Sequence, residues 1–273
     1  MKLPCGDRVL DLTGPKVMGV LNVTPDSFSD GGRYATLHDA LAHAREMVAQ
    51  GAAVIDVGGE STRPGAEPVG LQQELERVIP LIERLHAEVE VIISIDTMKP
   101  EVMSAAVAAG AGLVNDVLAL QSPGALQAVA DTRAAVCLMH MQGTPRTMQL
   151  EPHYDDVVSE VESFLLQRAQ ACVDAGISRE RIVLDPGFGF GKSLQHNLDL
   201  LAGLPRLAGH GFPLLAGLSR KAILGKLLGR AVEHRLAGSL ALATIAVQRG
   251  ARIIRSHDIA PTCDAVAVAW AAT

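Results

Sequence analysis

A single α/β domain, a (β/α)8 TIM barrel with a short strand or hairpin at the N-terminus outside it, is the fold this sequence predicts. Three observations carry that reading. Eight short apolar runs rich in β-branched residues recur along the 273 residues, each ending in a polar residue or glycine. Patterns with helical spacing lie between them. No Pro/Ser-rich linker interrupts the series, which favours closure into one barrel over residues 1–273 above the alternative of an open doubly wound sheet.

Taken in order, residues 8–12 alternate and are expected as a small strand outside the repeat. The barrel strands are expected at 17–22, 54–58, 91–96, 113–116, 135–140, 182–185, 214–219 and 253–257. Between the second and third, Leu71, Leu75, Val78, Ile79, Ile82 and Leu85 fall on one helical face. Val157, Val161, Phe164, Leu165, Ala169 and Cys172 do the same before the sixth. Gly51, Gly110, Gly176 and Gly250 stand where helices are expected to stop.

Composition bounds the function. Hydrophobic residues make up 48% and aromatics only 3%, so the core must be built from Ala, Val, Leu and Ile. The net charge of −6 argues against a nucleic-acid partner, which would need a clustered basic face. Cys5, Cys137, Cys172 and Cys263 form no C-x-x-C pair and read as buried free thiols of a reducing compartment. Neither an apolar leader nor a run of ~18 apolar residues is present, so a cytoplasmic protein without a membrane partner is expected.

The sixth strand is the most informative. Ile182-Val183-Leu184 ends on Asp185, followed by Pro186-Gly187-Phe188-Gly189-Phe190-Gly191-Lys192. The Walker pattern fails because Pro186 stands where its first glycine belongs. The dinucleotide pattern fails because Lys192 stands where its last belongs. The loop is therefore expected to hold Asp185 still at the floor of a pocket.

Barrel geometry brings strand C-termini to one mouth. There it would gather Asn22, residues 58–63, Asp96, Asn115 with Asp116, Met139 with His140, Asp185, Ser219 with Lys221, and Arg255 with His257. Carboxylates and an amide from separate strands suit the N–H and C=O edges of a planar nitrogen heterocycle. Arg63, Lys221, Arg255 and His257 suit an anion such as phosphate or pyrophosphate. The Ser/Thr/Pro/Gly-dense loops 22–32 and 59–68 have the composition of lids. Asn22 and Asp30 carry oxygen ligands suited to Mg²⁺ shared with a substrate phosphate. Plainer roles compete: Asp116 as a cap of the following turn, Met139 and His140 as barrel filling. Phe28, Phe188 and Phe190 lie in loops where core filling is the weaker account, and His38, His43, His86, His153, His196, His210 and His234 read as solvated surface.

Three segments, Asn22 through Gly32, Gly58 through Gly65 and Asp185 through Lys192, closely resemble signature segments of the bacterial dihydropteroate synthases. Ser94-Ile95-Asp96-Thr97, Asn115-Asp116-Val117, Met139-His140-Met141, Ser219-Arg220-Lys221 and Arg255-Ser256-His257-Asp258 match the remaining motifs in order, so the resemblance covers essentially the whole chain. It implies a homodimeric pterin-binding barrel. The implied reaction joins 6-hydroxymethyl-7,8-dihydropterin pyrophosphate to p-aminobenzoate, releasing pyrophosphate and 7,8-dihydropteroate. By the same resemblance Asp96, Asn115, Asp185 and Lys221 bind the pterin, with Met139 and Arg255 flanking its faces. Asn22, Thr62, Arg63, Arg255 and His257 hold the pyrophosphate, with Mg²⁺ at Asn22 and Asp30. Phe28, Thr62, Pro64, Phe190, Ser219 and Lys221 border the p-aminobenzoate. Asn22, Arg63, Asp96, Lys221, Arg255 and His257 then carry the catalysis. Ser256 departs from the apolar residue more usual between the Arg and His, and is expected to matter little.

Ionisation of the methylene C–O bond would leave positive charge on an electron-rich ring and negative charge on pyrophosphate, so a dissociative substitution is expected. Two other readings stand beside it. A methyltetrahydrofolate:corrinoid methyltransferase would share the pterin floor but lack the anion clamp and lid loops. A non-catalytic pterin-binding paralogue would have lost some of Asn22, Arg63, Lys221 and Arg255, all of which are present.

Overall fold

The computed structural model describes residues 1–23, 33–61, 67–144, 148 and 151–273, with the backbone alone for 33–36. Eight strands close into a parallel barrel: β3 (Lys16–Asn22), β4 (Val54–Gly58), β5 (Ile92–Asp96), β6 (Leu113–Asp116), β7 (Ala135–Met139), β8 (Ile182–Asp185), β9 (Leu214–Gly217) and β10 (Ala251–Ser256), the last pairing with β3. Each differs from its expected span by no more than two residues at either end.

Helices cover the outside: α1 (Arg33–Ala49), α2 (Leu71–Glu88), α3 (Pro100–Ala108), α4 (Ala125–Ala130), α5 (Val157–Asp174), α6 (Leu194–Ala208), α7 (Ala222–Leu228), α8 (Leu236–Gln248) and α9 (Ile259–Ala271). Two of them, α7 and α8, separate β9 from β10. Gly51, Gly110, Gly176 and Gly250 all adopt left-handed φ, from 96° to 115°, and end the preceding helices as expected. No helix among the described residues is long and apolar enough to cross a membrane.

The N-terminal strand turns out to be half of a hairpin. β1 (Lys2–Cys5) pairs antiparallel with β2 (Arg8–Asp11), Leu3 opposite Leu10. Leu3, Cys5, Leu10 and Leu12 pack into the barrel against Met18, Val54, Ile92, Leu113, Ala135, Cys137, Val183, Leu215 and Ile253. The N-terminal end of the barrel is thereby plugged with apolar side chains. A side chain at Gly112 would run into the Cys5 carbonyl, so this close seating requires glycine there.

Strand parity then places the site. Ile55, Val57, Ile93, Ile95, Val114, Val136, Leu138, Ile182, Leu184 and Ile254 belong to the shell between barrel and helices. Their alternates face inward. The inner column of β5 therefore runs Ile92, Ser94, Asp96, that of β8 runs Val183, Asp185, and that of β10 runs Ile253, Arg255. Each is apolar near the hairpin plug and polar at the open mouth.

Some expectations need correction. The buried face of α2 is Glu74, Val78, Leu81, Ile82 and Leu85, while Leu71 is exposed and Leu75 and Ile79 half-buried. Leu75 and Ile79 still pack against the core, and Glu74 joins the buried face because Thr97 and Lys99, described below, pair with it. Phe188 is core, not loop surface, at 1% exposure. Cys5, Cys137 and Cys172 are buried free thiols, but Cys263 is half-exposed. His196 and His210 are half-buried and bonded: His196 Nδ1 accepts from the Ser193 backbone N–H, and His210 pairs with Glu162.

Candidate active site

Asp185 sits at the end of β8 and is 7% exposed. Its Oδ1 accepts the Gly187 N–H at 2.8 Å, so the turn closes on the carboxylate itself. Gly187, Gly189 and Gly191 all have φ between 61° and 81°. Side chains at Gly187 and Gly191 would run into the carbonyl oxygens of His140 and Gln142. The alternating glycines thus let this loop lie flat on the β7 loop, a conformation that L side chains resist. Lys192 staples it from beneath, donating to the carbonyls of Gly187 and Phe190, both at 3.0 Å. Of the two phenylalanines, Phe188 points into the shell and Phe190 is left at the rim, 4.1 Å below the Lys221 ammonium.

The opposite wall is charged. Arg255 on β10 donates from Nε to Asp56 Oδ2 at 2.7 Å and from Nη2 to Asp96 Oδ2 at 2.8 Å. Asn115 on β6 donates from Nδ2 to the same Asp56 oxygen at 3.1 Å. Register alignment puts Asn22, Gly58, Asp96 and Asn115 side by side across β3 to β6. A Cβ at Gly58 would lie 3.4 Å from Asn22 Oδ1 and 3.7 Å from Asp96 Cβ, so glycine keeps the gap between those side chains clear.

Burial dominates the electrostatics. It pushes Asp96 up to about 7, with Arg255 opposing and Asp56, Asp116 and Glu74 reinforcing. Burial also raises Asp185, against the Gly187 N–H and the cations Lys221, Arg255 and Lys192. Lys221 is brought down to about 8 by burial, partly offset by Asp185. Arg255 is driven up by Asp56 and Asp96 in spite of its own burial, and stays charged.

The turn carrying Lys221 is pinned by polar contacts. Arg220 has φ 56°, its N–H donates to Ser239 Oγ at 2.9 Å, and its guanidinium pairs with Asp258. Arg235 adds a bond to the Arg220 carbonyl at 3.1 Å. Ser219 Oγ accepts the His257 N–H at 3.3 Å and lies 3.1 Å from His257 Nδ1, joining the β9 and β10 ends.

The described residues therefore bring together Asn22, Asp96, Asn115, Met139, Asp185, Phe190, Ser219, Lys221, Arg255 and His257 at one mouth. Phe28, Asp30, Thr62, Arg63 and Pro64 lie outside the described residues. Asp116 takes the capping role: its Oδ1 and Oδ2 accept from the N–H groups of Leu118 and Leu120, both at 2.8 Å. His140 turns away from the barrel interior, packing edge-on against Phe164 at 5.0 Å with Lys192 2.9 Å from its Nδ1. Ser256, expected to matter little, is 2% exposed; its Oγ accepts the Asp258 N–H at 3.1 Å and meets Thr262 Oγ1 at 2.9 Å.

Sequence reasoning missed two groups. Asp56 is fully buried two residues before the end of β4. The available signal was parity: it shares the inner face with Val54 and Gly58, where a lone carboxylate in an apolar run needs a partner. Glu74 is also fully buried; it accepts from Thr97 Oγ1 at 2.6 Å and pairs with Lys99, which also pairs with Glu60. Arg77 donates to the Gly59 carbonyl at 2.9 Å. Together these tie the start of the loop after β4 to the end of β5.

Among the described residues no cluster of three or more His, Cys, Asp or Glu side chains could hold a metal. The donor at hand is the Asn22 amide oxygen, a hard ligand of the kind Mg²⁺ takes, and one protein oxygen fits an ion held mainly by phosphate and water.

Residues 18–257 match the family model described as pterin binding enzyme. The chain is 52% identical over 268 residues to the dihydropteroate synthase of Escherichia coli K12, covering 98% of this chain and 95% of that one. A Xanthomonas albilineans dihydropteroate synthase solved with 4-aminobenzoic acid superposes with a TM-score of 0.93 at 56% identity, covering 99% and 97% of the two chains. A second structure from that organism, in complex with 7,8-dihydropteroate, superposes with a TM-score of 0.90 at 53% identity, covering 100% and 98%.

Proposed function

The chain belongs to the pterin-binding enzymes, with a dihydropteroate synthase 52% identical over 98% of its length, and from that premise we propose how its barrel mouth performs the reaction. It joins 6-hydroxymethyl-7,8-dihydropterin pyrophosphate to p-aminobenzoate, forming 7,8-dihydropteroate and pyrophosphate. The observation that carries the reading is the polar ring of Asp96, Asn115, Asp185, Lys221 and Arg255 above an apolar plug.

The pterin lies in this ring, its N–H edges facing Asp96, Asn115 and Asp185, with Lys221 at a carbonyl or ring nitrogen and Met139 and Arg255 against its faces. The carboxyl groups of Asp96 and Asp185 lie beside the ring, with Lys221, Arg255 and Lys192 as the nearby cations. Asp96, when ionised, and Asp185 favour positive charge developing on the ring carbon as the C–O bond breaks. Arg255 gives Nε and one Nη2 hydrogen to carboxylates, which leaves its Nη1 end for the pyrophosphate. The leaving group is held by His257 and Asn22 with Thr62 and Arg63, and Arg255 contributes its charge and remaining nitrogen. Asn22 and Asp30 would hold Mg²⁺, which would supply positive charge to the leaving pyrophosphate. Phe190, Ser219 and Lys221 border p-aminobenzoate, together with Phe28, Thr62 and Pro64. Its amine is a neutral nucleophile near pH 7, so substitution is dissociative and needs no strong base.

The enzyme works as a cytoplasmic homodimer in this reading. The exposed Leu227, Leu228, Val232 and Leu236, at and beyond α7, support an apolar contact between copies. The test of the function is an assay for pyrophosphate release from the pterin substrate with and without p-aminobenzoate. Rapid release coupled to 7,8-dihydropteroate formation is expected. No release under either condition would overturn it.

A further inference from the structure

We infer that Asp56 is a positioning residue of the pterin site: its Oδ2 fixes which end of the Asn115 amide meets the pterin and seats Arg255 at the same time. The inference rests on the pterin reading above and deepens it. An amide offers a donor end and an acceptor end of nearly equal shape, and the chain alone leaves the choice open. Asp56 closes it. Its Oδ2 already accepts from Arg255 Nε, which can only donate, so the group 3.1 Å away from that same oxygen is the Asn115 amino end. Among the described residues no donor meets Asn115 Oδ1, and Asn115 keeps 5% exposure, at the barrel mouth. The carbonyl oxygen is therefore the end presented to a ligand, which must bring an N–H to it.

The same Asp56 oxygen takes Arg255 Nε at 2.7 Å, and Arg255 Nη2 reaches Asp96. One oxygen on β4 thus sets side chains on β6 and β10, with β5 joined through Arg255. Asp56 is fully buried and touches no solvent, so its part is played through Asn115 and Arg255. Its other oxygen, Oδ1, is buried without a hydrogen-bond partner, as is the hydroxyl of Ser94, its register neighbour on β5. Keeping an unpaired carboxylate oxygen inside a barrel is costly, which marks the residue as retained for what Oδ2 does.

The test is a double-mutant cycle on binding of 6-hydroxymethylpterin, followed by calorimetry, using Asp56→Asn, Asn115→Ala and the double variant. Asp56→Asn keeps the shape and removes the rule that position 56 only accepts. Each single change is expected to weaken pterin binding at least tenfold. The double variant should lose less than the two single losses multiplied, because part of the Asp56 effect runs through that amide and the rest through Arg255. Losses that multiply, or Asp56→Asn binding like the wild type, would overturn the inference. A wild-type protein that fails to bind the pterin would overturn the functional reading instead. Should Asp56→Asn not fold, the wild-type protein still decides. NMR should show the Asn115 side-chain N–H protons protected from solvent exchange, and fast exchange at that amide would sink the idea.

Discussion

The ammonium of Lys192 lies 2.9 Å from Nδ1 of His140, and both groups are buried, at 3% and 7% exposure. Burial holds Lys192 down at about 7 and His140 at about 3, so at neutral pH the histidine is uncharged and accepts. The loop below Asp185 therefore hangs on a lysine whose charge the fold resists. The unfolded chain keeps that proton up to the ordinary lysine range near 10.5, whereas the folded protein gives it up from about 7. Between those values the unfolded state binds more protons, so this lysine makes folding stability rise with pH. Replacing Lys192 with Met removes that rise. Urea denaturation at pH 7 and pH 9.5 should show the wild type gaining on the variant by up to about 1.4 kcal/mol per pH unit. An unchanged difference would contradict the assignment.

Arg255 keeps two buried carboxylates company, and its removal should be costly. Arg255→Ala leaves Asp56 and Asp96 without their cation, at about 3–5 kcal/mol. Arg255 lowers Asp96 from where burial would put it, so its loss drives the Asp96 carboxyl above 7. The folded variant then binds a proton above pH 7 that the folded wild type has released. The deficit should accordingly be larger at pH 8.5 than at pH 6. A deficit that shrinks as pH rises would refute the pairing.

In the proposed pterin site, Asp185→Asn puts an amide where a second acceptor is needed. Gly187 can still donate to the remaining oxygen, so the loop should hold and the melting temperature change little. Pterin affinity should fall at least tenfold, consistent with the ~1–3 kcal/mol cost of an unmatched buried group. Calorimetry showing unchanged pterin binding by a folded variant would rule out this role.

Two glycines with similar backbone sign should respond differently to alanine. Gly176 has φ 96° with no atom within 4 Å of where a methyl group would stand, so alanine there meets only left-handed strain, ~1–2 kcal/mol. At Gly187, φ 69°, the added methyl must also displace the His140 carbonyl. Gly187→Ala should cost clearly more in chemical denaturation and lower turnover at least tenfold, while Gly176→Ala leaves turnover intact. Equal effects would mean the close approach at Gly187 is unimportant.

Mg²⁺ should bind the protein weakly alone and much more tightly once pyrophosphate is supplied, since Asn22 offers one oxygen and Asp30 at most adds a carboxylate. Titration calorimetry in both conditions measures this. A tight Mg²⁺ isotherm without phosphate would mean that further protein ligands exist.

The sequence by itself determined the strands, their ends and most of the mouth. In a parallel barrel a β-branched run followed by a polar residue is a strand pointing that residue at the site, so Asp96, Asn115, Asp185 and Arg255 were legible one at a time. The failed phosphate patterns and the three glycines also marked the loop after β8 as a support for Asp185. Only the tertiary structure decided how these residues are wired. Asp56 meets Asn115 59 residues away and Arg255 199 residues away. Glu74 meets Lys99 across two elements, against the helical periodicity that placed Leu71 inward. Local spacing carries no information on such pairings, because a hydrogen bond depends on which strands closure sets side by side. The same limit explains Arg255. Read alone it is a cation free for an anion; in the closed barrel two carboxylates already hold it.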